Sequence, residues 1–334
     1  MLFHPGILSL LTGSGLAAVM TLYASLLGVI VLRRWDFESS SAYQLALERK
    51  TSLVSTLMSY VLGFQILSLI LFVYTAEDIH RLFVGAMCAT GSLNANPVGW
   101  LVLFSKIAAC FAAGLWLALN HLDQQAEDYP LLRLKYGALL GLLPLVLLDI
   151  YLQLRYFLGL DPDIITSCCG SLFSSAGDGV ASGLAGLPAG PAMLLFYGGV
   201  ALYAIFLFLC LSSDAAWPRY LLTVSAAGLF VLSLASIVSF ISMYIYELPT
   251  HHCPFDIIQR EYHYQGYLLY GALFTGVFFG LLPGLFHPVR RISTLRERIG
   301  KIERSWLLLS LGGVTLFAAL AGYAVLASNL IYFS

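Results

Sequence analysis

Charge is scarce in this chain: Asp, Glu, Lys and Arg make up only 10% of its 334 residues. A soluble domain carries about 25%. With 59% hydrophobic residues and a mean hydropathy of +0.85, the composition excludes a water-soluble core, which has no room for so much apolar surface. The short alternating segments of a membrane barrel are also missing. There is no CxxC pair, no HxxxH pair and no phosphate-binding loop, so the usual dithiol, zinc-helix and nucleotide-hydrolysis signatures are absent. An ATP-driven role would need a separate subunit. No acidic pair points to hydrolysis. No His stands in the middle of an apolar run, because His4 and His287 fall at run ends on opposite sides, and this argues against a haem held by two transmembrane His.

What is present is a series of long apolar runs: Ile7 to Leu32, Leu53 to Tyr74, Val98 to Leu119, Tyr136 to Leu158, Ala192 to Leu211, Tyr220 to Ile245, Tyr267 to Phe286 and Trp306 to Ile331. About 20 apolar residues cross the hydrocarbon layer as a helix. Unpaired backbone groups are so costly in lipid that runs of this length must be helical. The expectation is an all-α, polytopic membrane bundle of about eight transmembrane helices, forming a single domain over 1–334, with the lipid bilayer as its first partner.

Basic residues near helix ends resist translocation. Thirteen of the seventeen Lys and Arg lie in four alternate loops, including Arg33, Arg34, Arg49, Lys50, Arg133, Lys135 and Arg219 and ending with the group from Arg290 to Arg304. These loops are expected on the cytoplasmic side, which places both termini outside and suits a cell inner membrane. The first run has no positive residue before it and Arg33–Arg34 after it, so it reads as a retained anchor in reversed orientation. The stretch from His287 to Arg304 is expected to form a short interfacial helix. A net charge of −1 thus hides a basic inner and an acidic outer face, and nothing in it suggests nucleic acid binding.

Three outer loops, 75–97, 159–191 and 246–266, carry Cys88, Cys168, Cys169 and Cys253. Cys88, Cys168 and Cys253 are spaced by 80 and 85 positions, which reflects either a repeated unit or eight helices of similar length. Four cysteines in an oxidising compartment permit three pairings, and because adjacent cysteines bridge each other poorly, the expected bonds run from Cys168 or Cys169 to Cys88 and to Cys253. One reading is a structural clamp. A second is catalytic thiol–disulfide exchange or electron transfer through Cys88, Cys168, Cys169 and Cys253, with a quinone or an extracytoplasmic thioredoxin-like or electron-transfer protein as partner. A third is a soft metal ion or small solute handled by His251, His252, Cys253 and His263. The loop ELPTHHCPFDIIQREYHYQGY is further expected to form a surface helix over Pro254 to His263, with an Asp256–Arg260 pair. Tyr246, Tyr262, Tyr264 and Tyr267 would form an aromatic belt.

Inside the apolar runs, Lys106 and Asp149 stand out, since an ionisable group in lipid costs several kcal/mol. Counting 1.5 Å per residue from the outer helix ends puts both at roughly 12–15 Å depth. They are expected to meet, with Gln65 level with them and Gln153 and Arg155 nearer the surface. This polar element would carry protons, seat a quinone head group or simply brace two helices. Gly276, Gly280 and Gly284, four residues apart, predict one face of close helix packing. Thiol redox exchange at the outer cysteines is the functional expectation carried forward.

Overall fold

The computed structural model describes residues 3–36, 39, 41–161, 164–166, 183 and 185–330. Among them are eight helices long and apolar enough to cross a membrane, no strand, and one isolated bridge between Val84 and Ile165. The protein is a multi-pass helical membrane protein. By its internal contacts the chain divides into two compact units, Met1–Val84 with Ser92–Ile165, and Gly85–Gly91 with Thr166–Ser334.

The first unit contains α1 (Pro5–Arg34), α2 (Ala42–Asp78), α4 (Gly99–Asp123) and α5 (Leu132–Leu158), while α3 (Ala89–Asn94) is a short turn of helix within the 75–97 loop. Pro5 opens α1 at a position where a missing N–H does no harm, and Arg33 and Arg34 close it where positive charge suits the helix dipole. Ser41 caps α2 by accepting from the Gln44 N–H at 3.3 Å. Helix α1 packs on α2 and α5, and α4 packs on the same two, giving a ring of four. Lys135, read from the sequence as a basic loop residue, is buried in this unit. Its Nζ lies 2.6 Å from Asp123 Oδ2, and Asp123 Oδ1 accepts from the Leu131 N–H, which closes the α4–α5 turn.

The second unit contains α6 (Ala189–Ser212), α7 (Ala216–Ser236), α8 (Ser242–Tyr246), α9 (Gln265–Leu285) and α10 (Arg296–Ala327). A π-helical turn, Ile237–Ile241, joins α7 to α8, so the two form one span. Here too the spans form a ring: α6 beside α7, α7 beside α9, α9 beside α10, and α10 beside α6. The glycine face of α9 is a close-packing surface. A Cβ on Gly276 would stand 2.7 Å from the Val314 nitrogen, so α9 and α10 touch through backbone. Ser310 then donates to the Gly276 carbonyl at 2.6 Å. Residues 287–304 do not form a separate interfacial helix; His287–Arg291 is a 3-10 turn, and Arg296 already begins α10.

Both units expose large apolar side chains and bury small or hydroxylated ones alongside aromatic residues such as Phe72, Trp116, Phe196 and Phe317. Leu16, Val19, Leu67, Leu194, Phe208 and Val231 are exposed, whereas Ser14, Thr21, Ser68, Ser105, Ser236 and Ser310 are buried. Large apolar side chains outside and small or hydroxylated ones inside is the arrangement lipid favours, since tails solvate Leu as well as a core does. The membrane-spanning helices also run beyond the apolar runs. Helix α2 starts at Ala42, because its polar first turns stay helical outside the hydrocarbon layer.

Candidate functional site

Cys88 and Cys253 meet in the second unit. The segment carrying Cys88 turns at Gly85, whose φ of +84° and whose missing Cβ, which would stand 2.6 Å from the Thr166 carbonyl oxygen, both require glycine. Gln259 Nε2 donates to the Met87 carbonyl at 2.9 Å and ties this segment to the 246–264 loop. That loop begins where Glu247, at φ +55°, ends α8 in the left-handed conformation. Tyr246 OH then donates to the Cys253 carbonyl at 2.5 Å and Tyr270 OH to the Pro254 carbonyl at 2.7 Å, which fixes the Cys253 backbone.

The two sulfurs are 3.5 Å apart across 165 positions of sequence, and both cysteines are 0% exposed. Cys253 Sγ also faces the Phe255 N–H at 3.4 Å and the Thr90 hydroxyl at 3.5 Å. The Phe255 N–H, a donor aimed at this sulfur, favours negative charge on it. Asp256 brings a carboxylate oxygen into the same group, and the three ligand atoms of Cys88, Cys253 and Asp256 all lie within 4.8 Å of one another. Asp256 opens the short 3-10 turn Asp256–Ile258 that follows the Cys253 segment. His251 Nε2 meets Asp256 Oδ2 at 2.5 Å, while Asp256 Oδ1 is buried with no hydrogen-bond partner among the described residues. Burial first, and then the negative charges of Asp256, Glu261 and Cys253, raise the Tyr262 phenol above its usual pKa.

The remaining residues singled out by the sequence divide by location. Cys168 and Cys169, and with them the expected bridges to Cys88 and Cys253, lie outside the described residues. His252 is buried, its Nδ1–H donating to the Val238 carbonyl at 2.9 Å. Val238 sits in the π-helical turn, where widening of the helix alters the usual carbonyl pairing. His263 is exposed in the left-handed region at φ +53°. The expected surface helix over Pro254 to His263 is instead two 3-10 turns, and Asp256 pairs with His251, not with Arg260. Tyr246, expected in an interfacial belt, is buried with its ring 4.6 Å from that of His251 and 4.7 Å from that of Tyr262. Cys210 is buried within α6 and Cys110 is partly buried within α4.

The intramembrane polar group is a separate assembly in the first unit, built by α1, α2, α4 and α5. Lys106 Nζ lies 2.8 Å from Asp149 Oδ2 and donates to Ser68 Oγ at 3.0 Å and Ser14 Oγ at 3.3 Å. Asp149 also accepts from Gln65 Nε2 at 2.8 Å, Gln153 Nε2 at 2.9 Å and Ser105 Oγ at 2.9 Å. Gln65 Oε1 has no hydrogen-bond partner among the described residues. Arg155 is exposed on α5.

Asp256, Thr90 and the orienting role of His251 were not drawn from the sequence as parts of the site. The short Cys253–Asp256 separation was the available signal, but the sequence does not say how the non-helical chain between them turns. No family model matches the chain, and neither a curated protein nor a solved structure is detectably similar to it.

Proposed function

We propose that this protein is a membrane thiol–disulfide redox protein in which Cys88 and Cys253 alternate between dithiol and disulfide on the extracytoplasmic side of a cell inner membrane. One observation carries the reading: two buried sulfurs from distant loops at 3.5 Å, one of them receiving the Phe255 N–H and touching the Thr90 hydroxyl. A disulfide spans about 2.05 Å, so a small shift of either loop closes the bond.

Cys253 is the attacking thiolate in this reading. Its sulfur displaces one sulfur of a partner disulfide, which leaves as a thiolate and takes a proton, and a mixed disulfide forms at Cys253. The Cys88 thiolate, having lost its proton to solvent, then attacks Cys253 and releases the second partner sulfur, which is protonated in turn. The pair ends oxidised by two electrons and the partner ends as a dithiol. Asp256, steered by His251, is placed to relay that proton from Cys88 to solvent. Because both sulfurs are shielded, exchange requires the 246–264 loop to move. A small or extended disulfide therefore reacts faster than a bulky one.

Glutathione disulfide serves as the probe. In Cys88→Ser the resolving sulfur is gone, and peptide mass analysis is expected to find glutathione retained on Cys253, whereas the wild-type protein goes on to a Cys88–Cys253 bond. If Cys88→Ser accumulates no adduct at Cys253, the reading fails.

A further inference from the structure

We propose that in its dithiol state the same site binds one zinc-like cation through Cys88 Sγ, Cys253 Sγ and Asp256 Oδ1. The inference rests on the redox reading only for the existence of that dithiol state.

Three observations converge on it. The donor set is two sulfurs and a carboxylate, all buried and within 4.8 Å of one another. Ligation would make both sulfurs thiolates, and a divalent cation would then offset two of the three negative charges of the donor set. Asp256 Oδ1 is a buried acceptor with no hydrogen-bond partner among the described residues, while Oδ2 is held by His251 at 2.5 Å. A ligand oxygen left bare beside one held by a neighbouring side chain is how a metal-binding carboxylate is commonly oriented. The sulfur separation also discriminates between ions. Tetrahedral zinc with bonds of about 2.3 Å sets two sulfurs roughly 3.8 Å apart, whereas linear two-coordinate binding needs about 4.6 Å. The observed 3.5 Å lies near the tetrahedral value. The hard carboxylate likewise suits a divalent ion better than copper(I).

Three protein ligands leave a fourth position for water or an incoming sulfur. The sequence pointed to His251, His252, Cys253 and His263 as ligands, but only Cys253 belongs to this set, with His251 acting through Asp256. When a partner disulfide oxidises the pair, both sulfur ligands are consumed in the new bond and the cation leaves, while the two partner sulfurs gain two electrons and two protons. Metal occupancy is thus linked to the redox state of the site.

The test uses full-length protein, reduced, stripped of metal and titrated with zinc against a chromophoric chelator, with cobalt as a spectroscopic substitute. One equivalent of tight zinc and the intense visible bands of thiolate-bound tetrahedral cobalt are expected. Cys253→Ser abolishes both, Asp256→Asn removes stoichiometric binding while preserving side-chain shape, and His251→Gln weakens binding about 10- to 100-fold. Unfolding temperatures of the same preparations show that each variant is folded, and Asp256→Asn is the decisive one where Cys253→Ser fails to fold. Absence of zinc binding in the wild type, or full binding by Asp256→Asn, overturns the inference. The glutathione assay on the same batches separates the two ideas. An adduct at Cys253 without zinc binding sinks only the metal site, and zinc binding without reversible oxidation sinks only the redox reading.

Discussion

Lys106 Nζ and Asp149 Oδ2 are 2.8 Å apart, with side-chain exposures of 0% and 1%. Lys106 donates further to Ser14 and Ser68, and Asp149 accepts from Gln65, Gln153 and Ser105, so the pair is a fully enclosed junction of four helices. Removing one partner from such a pair strands the other charge and costs about 3–5 kcal/mol, whereas removing both together costs much less. Asp149→Asn is expected to unfold at markedly lower temperature than the wild type in detergent. The double variant Lys106→Met with Asp149→Leu is expected to recover most of the loss. A double variant no more stable than the single one would show that the hydrogen-bonded network, not the charge pair, holds these helices.

The α9–α10 contact gives a second expectation. Gly276→Ala places a methyl 2.7 Å from backbone, which cannot yield as a flexible side chain would, and a loss of about 1–3 kcal/mol follows from overpacking. Gly271→Ala, on the same helix with nothing within 4 Å of the added carbon, is the matched control and is expected to be neutral or slightly stabilising. Equal behaviour of the two variants in thermal unfolding would refute the close contact.

A third expectation concerns pH. Burial first, then Arg219, Arg290 and Arg291, lower the His287 pKa below its ordinary 6.5, against a raising contribution from Glu303. The folded state therefore binds this proton less readily than the unfolded chain. The stability difference is absent above about pH 6.5 and grows as a loss while pH falls through the lower folded value. His287→Gln is expected to flatten the decline in unfolding temperature between about pH 7 and pH 5. Parallel curves for variant and wild type would remove His287 from the account.

How much of this was legible beforehand depended on whether a physical ruler applied. Lipid thickness is a ruler for length, so all eight runs were visible, although their polar ends were not. Helical rise is a ruler for depth, and it brings Lys106 level with Asp149 from the sequence alone. Loops have no such ruler. The nearness of Cys88 to Cys253 depends on the Gly85 turn and the Gln259–Met87 bond, and neither announces itself as a pairing. The α-helical spacing of Asp256 and Arg260 was a misleading cue, because the segment winds as 3-10 turns. Lys135 misled in another way: a basic residue near a helix end suits a loop, but Asp123 was near enough to bury it.

The most direct test of the central claim is a redox titration. Purified protein is equilibrated in glutathione buffers of stepped potential, quenched in acid, alkylated and digested. The account predicts that Cys88 and Cys253 lose alkylation together, with a two-electron slope of about 30 mV per decade, and that a peptide joining them appears in step. Cysteines 88 and 253 that stay separate at every potential, or that bond only to other cysteines, would contradict it.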